Sequence, residues 1–310
     1  MPMGLSLGTL FPLRWRLWLG KLLFPRLGPS TVRVSWHRVI KGPCLPPEIE
    51  AMRYVAAHTD VPVPKLFAVH TDEKKNYIYI EMAYIPGQNL EDAWSDLTLD
   101  GKHEVMADLQ HQISRLRELP PPSSGHVSSA LQNPAYDGRV GNRFFGPFSL
   151  RDFHSLLRKH MPSEYIEEAV GKQVAAVHSP DASYRLCFTH ADLAPRNIMV
   201  RNGRIVAIVD WGYAGWYPEY WDFTKAHWNS FWSEEWDDMI DEHFPRYDLE
   251  MEAERVLWHR LDDPGTPTTS YLADGSVFKS EGSKPSAAWM DVRAGRSLKD
   301  LWSIALLEFQ

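Results

Sequence analysis

The stretch Phe188-Thr-His-Ala-Asp-Leu-Ala-Pro-Arg-Asn-Ile-Met-Val200 decides how this chain is read. Within it His190, Asp192 and Asn197 form the pattern H-x-D-x-x-x-x-N. With 13 His, 21 Asp and 7 Asn in 310 residues, chance would place this spacing about 0.02 times. Apolar runs at 186–189 and 197–200 flank it, so its polar groups sit on a loop held between rigid elements. A further apolar run, 205–209, follows through Arg201-Asn202-Gly203-Arg204, where Asn-Gly supplies the positive φ angles of a tight hairpin. That run ends at Asp210, followed by Trp211-Gly212.

Phosphoryl transfer to a hydroxyl needs these residue types. A carboxylate must accept the proton of the attacking hydroxyl, and Asp192 is placed for that role. A neutral amide and a second carboxylate must hold Mg²⁺ against phosphate oxygens, which points to Asn197 and Asp210. Magnesium keeps several waters and takes one or two protein carboxylates, so a sparse ligand set fits. His190 and Arg196 complete the candidate catalytic residues, with His190 fixing the loop by hydrogen bonds rather than reacting. Taken singly, Asp192 and Asn197 are ordinary turn residues and Asp210 an ordinary helix N-cap. The joint spacing argues otherwise. A metal-dependent hydrolase built on His190, Asp192 and Asp210 would need a second histidine ligand, and none stands at a convincing spacing.

A kinase-type site also needs a cation on the phosphates. Val39-Ile40-Lys41 ends a predicted strand in the manner of a V-A-I-K lysine. Glu48 and Glu50, on the helix that follows, are both available as its partner. Adenine would lie against the connector after the predicted strand 77–82, taking backbone hydrogen bonds near Met82, Ala83 and Tyr84. Met82 equally fits a plain core position.

Outward from these motifs, residues 31–34 and 37–40 are β-branched and alternating, which predicts two short strands. Pro46 and Pro47 open a helix over 48–58. Val61-Pro-Val-Pro64 cannot be helix interior. Residues 66–70 and 77–82 predict strands around a polar tip, and Val105, Leu109, Ile113 and Leu116 mark a long helix over 102–118. Residues 120–146 form a Pro, Ser, Gly and Asn-rich loop, and 151–160 and 163–178 predict helices. After Trp211 the chain is aromatic and helical to about Arg260. Residues 262–286 form a turn-rich excursion, and an amphipathic helix starts at Ser297. Strands first and helices later indicate an α+β fold rather than βαβ units. The implied organisation is an N-terminal arm (1–27), a small lobe and hinge (28–86), a helical lobe (87–260), and a C-terminal excursion and helix (261–310).

Together, Val-Ile-Lys41, Glu50-Ala-Met-Arg-Tyr-Val, Val-Pro-Val-Pro64, Tyr-Ile-Glu-Met-Ala-Tyr-Ile-Pro-Gly87, the 188–197 segment, Ile-Val-Asp-Trp-Gly212 and Ala214-Gly-Trp-Tyr-Pro-Glu-Tyr-Trp-Asp222 resemble the aminoglycoside phosphotransferase and choline kinase-like enzymes. The resemblance runs from Thr31 to about Arg260 and is strongest to fungal members of that family. It implies a two-lobed, protein-kinase-like fold with a small antiparallel β lobe and a larger helical lobe. It implies ATP-dependent phosphorylation of a small-molecule hydroxyl. It also implies Asp192 as base, Asn197 and Asp210 on Mg²⁺, Lys41 on the phosphates, and Glu50 rather than Glu48 beside Lys41. Two departures stand out. No G-x-G-x-x-G loop precedes Lys41, only Gly28-Pro-Ser-Thr31, so a pseudokinase that binds nucleotide or metabolite without turnover is the alternative. Ala83 stands where the family often has an acidic residue, at little cost to a hinge that binds through its backbone.

Composition narrows the function classes. Apolar residues make up 44% and charged residues 24%, a globular mix. Two cysteines, Cys44 and Cys187, make no disulfide framework, which suits a reducing, cytoplasmic setting. The net charge of −7 argues against nucleic-acid binding, but it is unevenly spread. The chain carries +7 before its first acidic residue, Glu48, and −14 from Glu48 onward. The apolar opening is too short to span a membrane and precedes Arg14 and Arg16 instead of following a positive charge. It reads either as an arm whose apolar residues cover the fold, or as an amphipathic, transit-like segment with weak membrane-surface contact and a mitochondrial alternative. Six tryptophans between Trp211 and Trp236 predict a packed core rather than a cage for a cationic substrate. The ten acidic residues from Glu234 to Glu254 predict a solvated helix face, with a groove for a substrate amine as the other reading.

Overall fold

The computed structural model describes residues 11–72, 74, 75, 77–228 and 233–261, and the backbone of two strands beyond them. The chain opens with helix α1 (Leu13–Leu23). A four-stranded antiparallel sheet follows, built from β1 (Thr31–Arg33), β2 (Arg38–Cys44), β3 (Leu66–Asp72) and β4 (Tyr77–Ala83) in the order β1-β2-β4-β3. Helix α2 (Pro46–His58) is inserted between β2 and β3; Pro46 and Pro47 fill its first turn, where no backbone donor is lost. The sheet register sets Lys41 opposite Ile80 and Ile40 opposite Glu81. Strand alternation therefore puts Lys41 and Glu81 on opposite faces.

Past Gly87 the chain enters the larger lobe through β5 (Gln88–Asn89), α3 (Leu90–Ala93) and the long α4 (Leu99–Arg117). The hydroxyl of Thr98 accepts a hydrogen bond from the Gly101 amide, so α4 starts three residues before the apolar periodicity predicts. The Pro- and Gly-rich stretch predicted as one loop holds three short strands, β6 (Ser128–Ser129), β7 (Ala135–Asp137) and β8 (Arg143–Phe145). Beyond them lie α5 (Leu150–Leu157), α6 (Ile166–Val170) and α7 (Lys172–Val177). The helix predicted over 163–178 is thus broken, because Gly171 takes a φ of 95° between α6 and α7.

The motif-bearing strands are β9 (Leu186–Thr189), β10 (Ile198–Arg201) and β11 (Arg204–Ile208). Asn202 and Gly203 at φ 53° and 70° make the predicted hairpin turn. Strand β12 (Gly215–Pro218), inside the segment predicted as aromatic and helical, pairs with β9 and β6. Helices α8 (Trp221–Trp228), α9 (Glu234–His243) and α10 (Asp248–Arg260) close the lobe. Strands β13 (Thr268–Tyr271) and β14 (Val277–Ser280) pair as a hairpin within the predicted excursion. The helix predicted from Ser297 lies outside the described residues. No helix among the described residues is long and apolar enough to cross a membrane.

Trp211, Trp216, Trp221 and Trp236, four of the six tryptophans in the block, are fully buried and belong to the core. One apolar cluster runs from Val39, Ile49 and Ile80 in the small lobe to Leu109, Phe188 and Trp216 in the large one, which joins the lobes through packed side chains. On the outer side of the small sheet, Arg16 of α1 forms two hydrogen bonds to Glu81, of 2.7 and 2.9 Å. Arg38 and His70 reach the same carboxylate at 2.9 Å each. Gly20 lies so close to Arg33 that a Cβ there would sit 2.3 Å from its carbonyl oxygen. Within the described part of the arm, α1 is held to the small sheet at Arg16 and Gly20.

Burial by itself favours protonated Glu81, but the bonds from Arg16, Arg38 and His70 outweigh it and hold the carboxyl down at about 2. A depressed carboxyl stabilises the fold above its ordinary value of 4.5 and loses that contribution as pH falls towards 2. Replacing Arg16 by Gln is therefore expected to destabilise the protein by a few kcal/mol near neutrality. The difference from wild type should shrink between pH 4.5 and 2, as followed by urea unfolding across pH.

Candidate active site

The candidate site is assembled where β2 and α2 of the small lobe face the loops that end β9 and β11. The ammonium of Lys41 donates to Glu48 Oε1 at 2.6 Å and to Asp210 Oδ1 at 2.8 Å. Lys41 comes from the small sheet, Glu48 from the first turn of α2 and Asp210 from the end of β11. Burial alone would favour a neutral amine, but the two carboxylates outweigh it and hold the Lys41 ammonium well above the ordinary lysine range. Burial also works against the charge on Asp210, yet Lys41 leaves its carboxyl below the usual value. Asp210 sits in the left-handed region at φ 66° and ψ 59°, a conformation that Asp tolerates better than most residues. Its side chain is 49% exposed, against 5% for Glu48.

Across the cleft, Asn197 Nδ2 donates to Asp192 Oδ2 at 2.7 Å and to the Asp192 carbonyl at 2.9 Å. The Asn197 amide is thereby oriented with both donations spent on Asp192, and its oxygen remains the acceptor end. Arg196 reaches both carboxylate oxygens of Asp192, at 3.0 and 3.3 Å. Arg196 is roughly half exposed, whereas the Asp192 side chain shows only 10% of its surface.

His190 is fully buried and uses both ring nitrogens inside the protein. Its Nδ1 accepts the Asp192 amide at 3.2 Å, which makes Nε2 the donor to the Val209 carbonyl at 3.1 Å. One imidazole thus ties the Asp192 loop to the strand end that carries Asp210. A metal-ligand role for His190 is incompatible with this arrangement. Asp222 of α8 secures the same loop, accepting the Ala191 amide at 2.8 Å and the His190 amide at 3.3 Å.

The partner of Lys41 corrects one expectation. Glu50, not Glu48, was expected beside it. Glu50 instead accepts from Ser129 Oγ at 2.6 Å, Asn133 Nδ2 at 2.8 Å and the Leu131 amide at 3.2 Å. Two residues on a helix are about 200° apart, so only one of Glu48 and Glu50 can face β2. Lys41 is three residues from the end of β2, and the chain enters α2 directly, so the first-turn Glu48 is within reach.

At the connector, Met82 is buried; the Ala83 amide donates to Lys65 O at 2.9 Å and the Tyr84 amide to His37 O at 3.0 Å. The Ala83 and Tyr84 donors are thus engaged within the protein. Sequence reasoning missed Asp137 and Lys225, both fully buried, which pair at 2.6 Å and pin β7 to α8. Burial and the nearby carboxylates of Asp137 and Asp192 raise the Tyr213 hydroxyl well above the ordinary tyrosine range. The Tyr213 hydroxyl donates to Asn142 Oδ1 at 3.1 Å. Nothing in the polar loop 120–146 signals a buried Asp137, because its partner is nearly ninety positions away.

With this geometry in place, comparison with known proteins becomes informative. Residues 43–262 match the phosphotransferase enzyme family. The chain belongs to that family. Solved structures show the same fold at low identity. A streptomycin–ATP ternary complex of the aminoglycoside phosphotransferase APH(2")-IIa is 16% identical, with a TM-score of 0.51 over 84% of this chain and 88% of that one. A thermostable mutant of APH(4)-Ia in its apo form is 15% identical, with a TM-score of 0.52 over 75% and 83%. The GDP complex of aminoglycoside 2'-phosphotransferase-IIIa is 16% identical, with a TM-score of 0.50 over 75% and 79%. No curated protein matches the sequence. The α+β, two-lobed, kinase-like fold of this phosphotransferase is thus shown from two directions.

The Glu50 contacts generate a stability prediction. Replacing Glu50 by Ala would leave the Ser129, Leu131 and Asn133 donors without this carboxylate in a buried setting, at an expected cost of about 2–4 kcal/mol. Denaturant unfolding checks it. Glu50→Gln, which keeps an acceptor, should cost less.

Proposed function

We propose that this phosphotransferase is an ATP- and Mg²⁺-dependent kinase of a small-molecule hydroxyl. The observation that carries the reading is the bridge from Lys41 to Glu48 and Asp210, set opposite an Asp192 already oriented by Asn197. Asp192 takes the proton as the substrate oxygen bonds to the γ-phosphorus. The bond from that phosphorus to the β-γ bridging oxygen breaks, and ADP leaves. Lys41, anchored by Glu48, neutralises phosphate charge. The Asn197 oxygen and the half-exposed Asp210 carboxylate are hard oxygen donors of the kind Mg²⁺ takes, and the ion would supply charge neutralisation across the phosphates when bound. Arg196 covers Asp192 and would have to yield when the hydroxyl arrives. His190 is a positioning residue. Adenine hydrogen bonds to the Ala83 and Tyr84 amides, expected from the sequence, are not part of this proposal, because both amides already donate to the Lys65 and His37 carbonyls.

Solved relatives hold either ATP or GDP, so the choice of base belongs in the test. The substrate proposal stays at a hydroxylated metabolite. The acidic run from Glu234 onward lies on helices whose apolar faces are buried, with Glu235 bonded to Lys102, which favours a solvated face over a cation groove. A reducing, cytoplasmic setting suits the two free, buried cysteines.

Nucleotide consumption by the purified protein against a panel of amino sugars, choline-like alcohols and nucleosides tests the activity. Asp192→Asn should lower turnover by roughly 10²–10⁴-fold while leaving Mg·ATP binding, read by thermal shift, unchanged. Turnover by that variant equal to wild type would overturn the assignment of Asp192. Glu48→Ala should weaken Mg·ATP binding, whereas Glu50→Gln should leave it intact. The missing glycine-rich loop ahead of Lys41 favours one alternative, a nucleotide-binding pseudokinase. A thermal shift with ATP but no turnover on any panel member would select it.

A further inference from the structure

Seven of the eleven large apolar side chains exposed among the described residues lie between Phe11 and Trp36. Trp15, Trp18 and Leu22 fall at i, i+3 and i+7, so they form one stripe along α1, and Phe11 lies just before the helix. Trp15, Trp18 and Leu22 are 50, 57 and 68% exposed, and Phe11 57%. The stripe cannot turn inwards. The opposite side of α1 is locked to the small sheet by the Arg16–Glu81 pair and by the close approach at Gly20. Soluble proteins seldom leave a contiguous apolar patch of this kind uncovered without an interaction to serve.

We propose that α1 docks the protein on an anionic phospholipid surface. Charge complementarity selects this occupant. Arg14, Lys21 and Arg26 are exposed beside the stripe, and the chain has no acidic residue before Glu48. The remainder carries −14, so an anionic surface attracts this end and repels the rest of the molecule. Tryptophan suits the headgroup region, where its ring is buried and its N–H stays wet. An 11-residue helix lies along such a surface rather than across it. The geometry leaves the candidate site accessible. Glu81, which holds α1, is on the sheet face opposite Lys41, so docking through α1 does not cover the Lys41 side.

Cosedimentation of the full chain with vesicles of phosphatidylcholine, with and without phosphatidylserine, tests the proposal. The protein is expected to pellet with the mixed vesicles, less so as salt rises, and to stay in solution with the neutral ones. Arg14→Gln with Lys21→Gln should lower partitioning roughly 25-fold, at about fivefold per charge. Trp15→Ser with Trp18→Ser should lower it at least as far. All four side chains are exposed, so thermal unfolding should not change, which separates lost docking from lost folding. Failure to pellet, binding indifferent to phosphatidylserine, or variants that bind like wild type would overturn the proposal. A dimer in light scattering that Trp15→Ser/Trp18→Ser dissolves would assign the stripe to a second copy instead. Vesicle binding that appears only after deletion of residues 281–310 would assign it to the chain's own tail.

Discussion

A single ammonium group holds the candidate site together. Lys41 is pulled between Glu48 and Asp210, one carboxylate from each lobe. Three charges in a mostly buried setting cost desolvation that the pairing must offset, so the arrangement is weak evidence for stability and strong evidence for a requirement at this spot. Removing the lysine would leave two carboxylates facing each other across the cleft. The two bonds also differ in kind. Glu48 is almost wholly enclosed, while Asp210 is half open to solvent. On the proposed reading Glu48 is therefore the anchor and Asp210 the exchangeable partner, the carboxylate that would turn towards a metal while Lys41 turns towards phosphate.

The large lobe supplies the rigidity that the bridge needs on its other side. His190, held between the Asp192 amide and the Val209 carbonyl, fixes the distance between the loop bearing Asp192 and the strand end bearing Asp210. Asp222 clamps the backbone of the same loop from α8. Asp222 is fully buried, and burial pushes its carboxyl up despite the two amides that favour its charge. Two ring nitrogens and one buried carboxylate thus position groups with which they share no chemistry. Trp211 packs edge-on against the His190 ring at 4.7 Å, so part of the tryptophan excess serves this rigidity.

Local chemistry made much of this legible from the residues. The Asn202-Gly203 turn, the proline-opened α2 and the apolar period of α4 follow from propensities that act over a few positions. The members of the H-x-D-x-x-x-x-N spacing meet for the same reason, since one loop carries them all. Failures came where the deciding partner is remote. Glu48 and Glu50 look alike in sequence, and only the direction of β2 relative to α2 separates them. Asp137 looks like a loop residue until Lys225 closes on it. The arm was read for its apolar residues, and the Arg16 contact went unseen because its partner, Glu81, stands sixty-five positions away. The helix expected over 163–178 broke at Gly171, where glycine permits the positive φ and no periodicity warns of it.

The departure at the glycine-rich loop changes meaning once α1 is in place. A roof over the phosphates made of backbone amides needs glycines between two strands ahead of the lysine. Here, among the described residues, β2 is preceded by the three-residue β1 alone, and the turn between them, Val34-Ser35-Trp36-His37, contains no glycine. The chain that could have built another strand is folded as α1 on the outer face of the sheet. Phosphate recognition on the proposed reading therefore falls to Lys41 and the ion held by Asn197 and Asp210, which are charge contacts rather than a fitted backbone cradle. On that reading the site would gain less from backbone preorganisation and more from correct placement of Lys41, so the Lys41–Glu48 bond would weigh more on nucleotide binding than the missing loop.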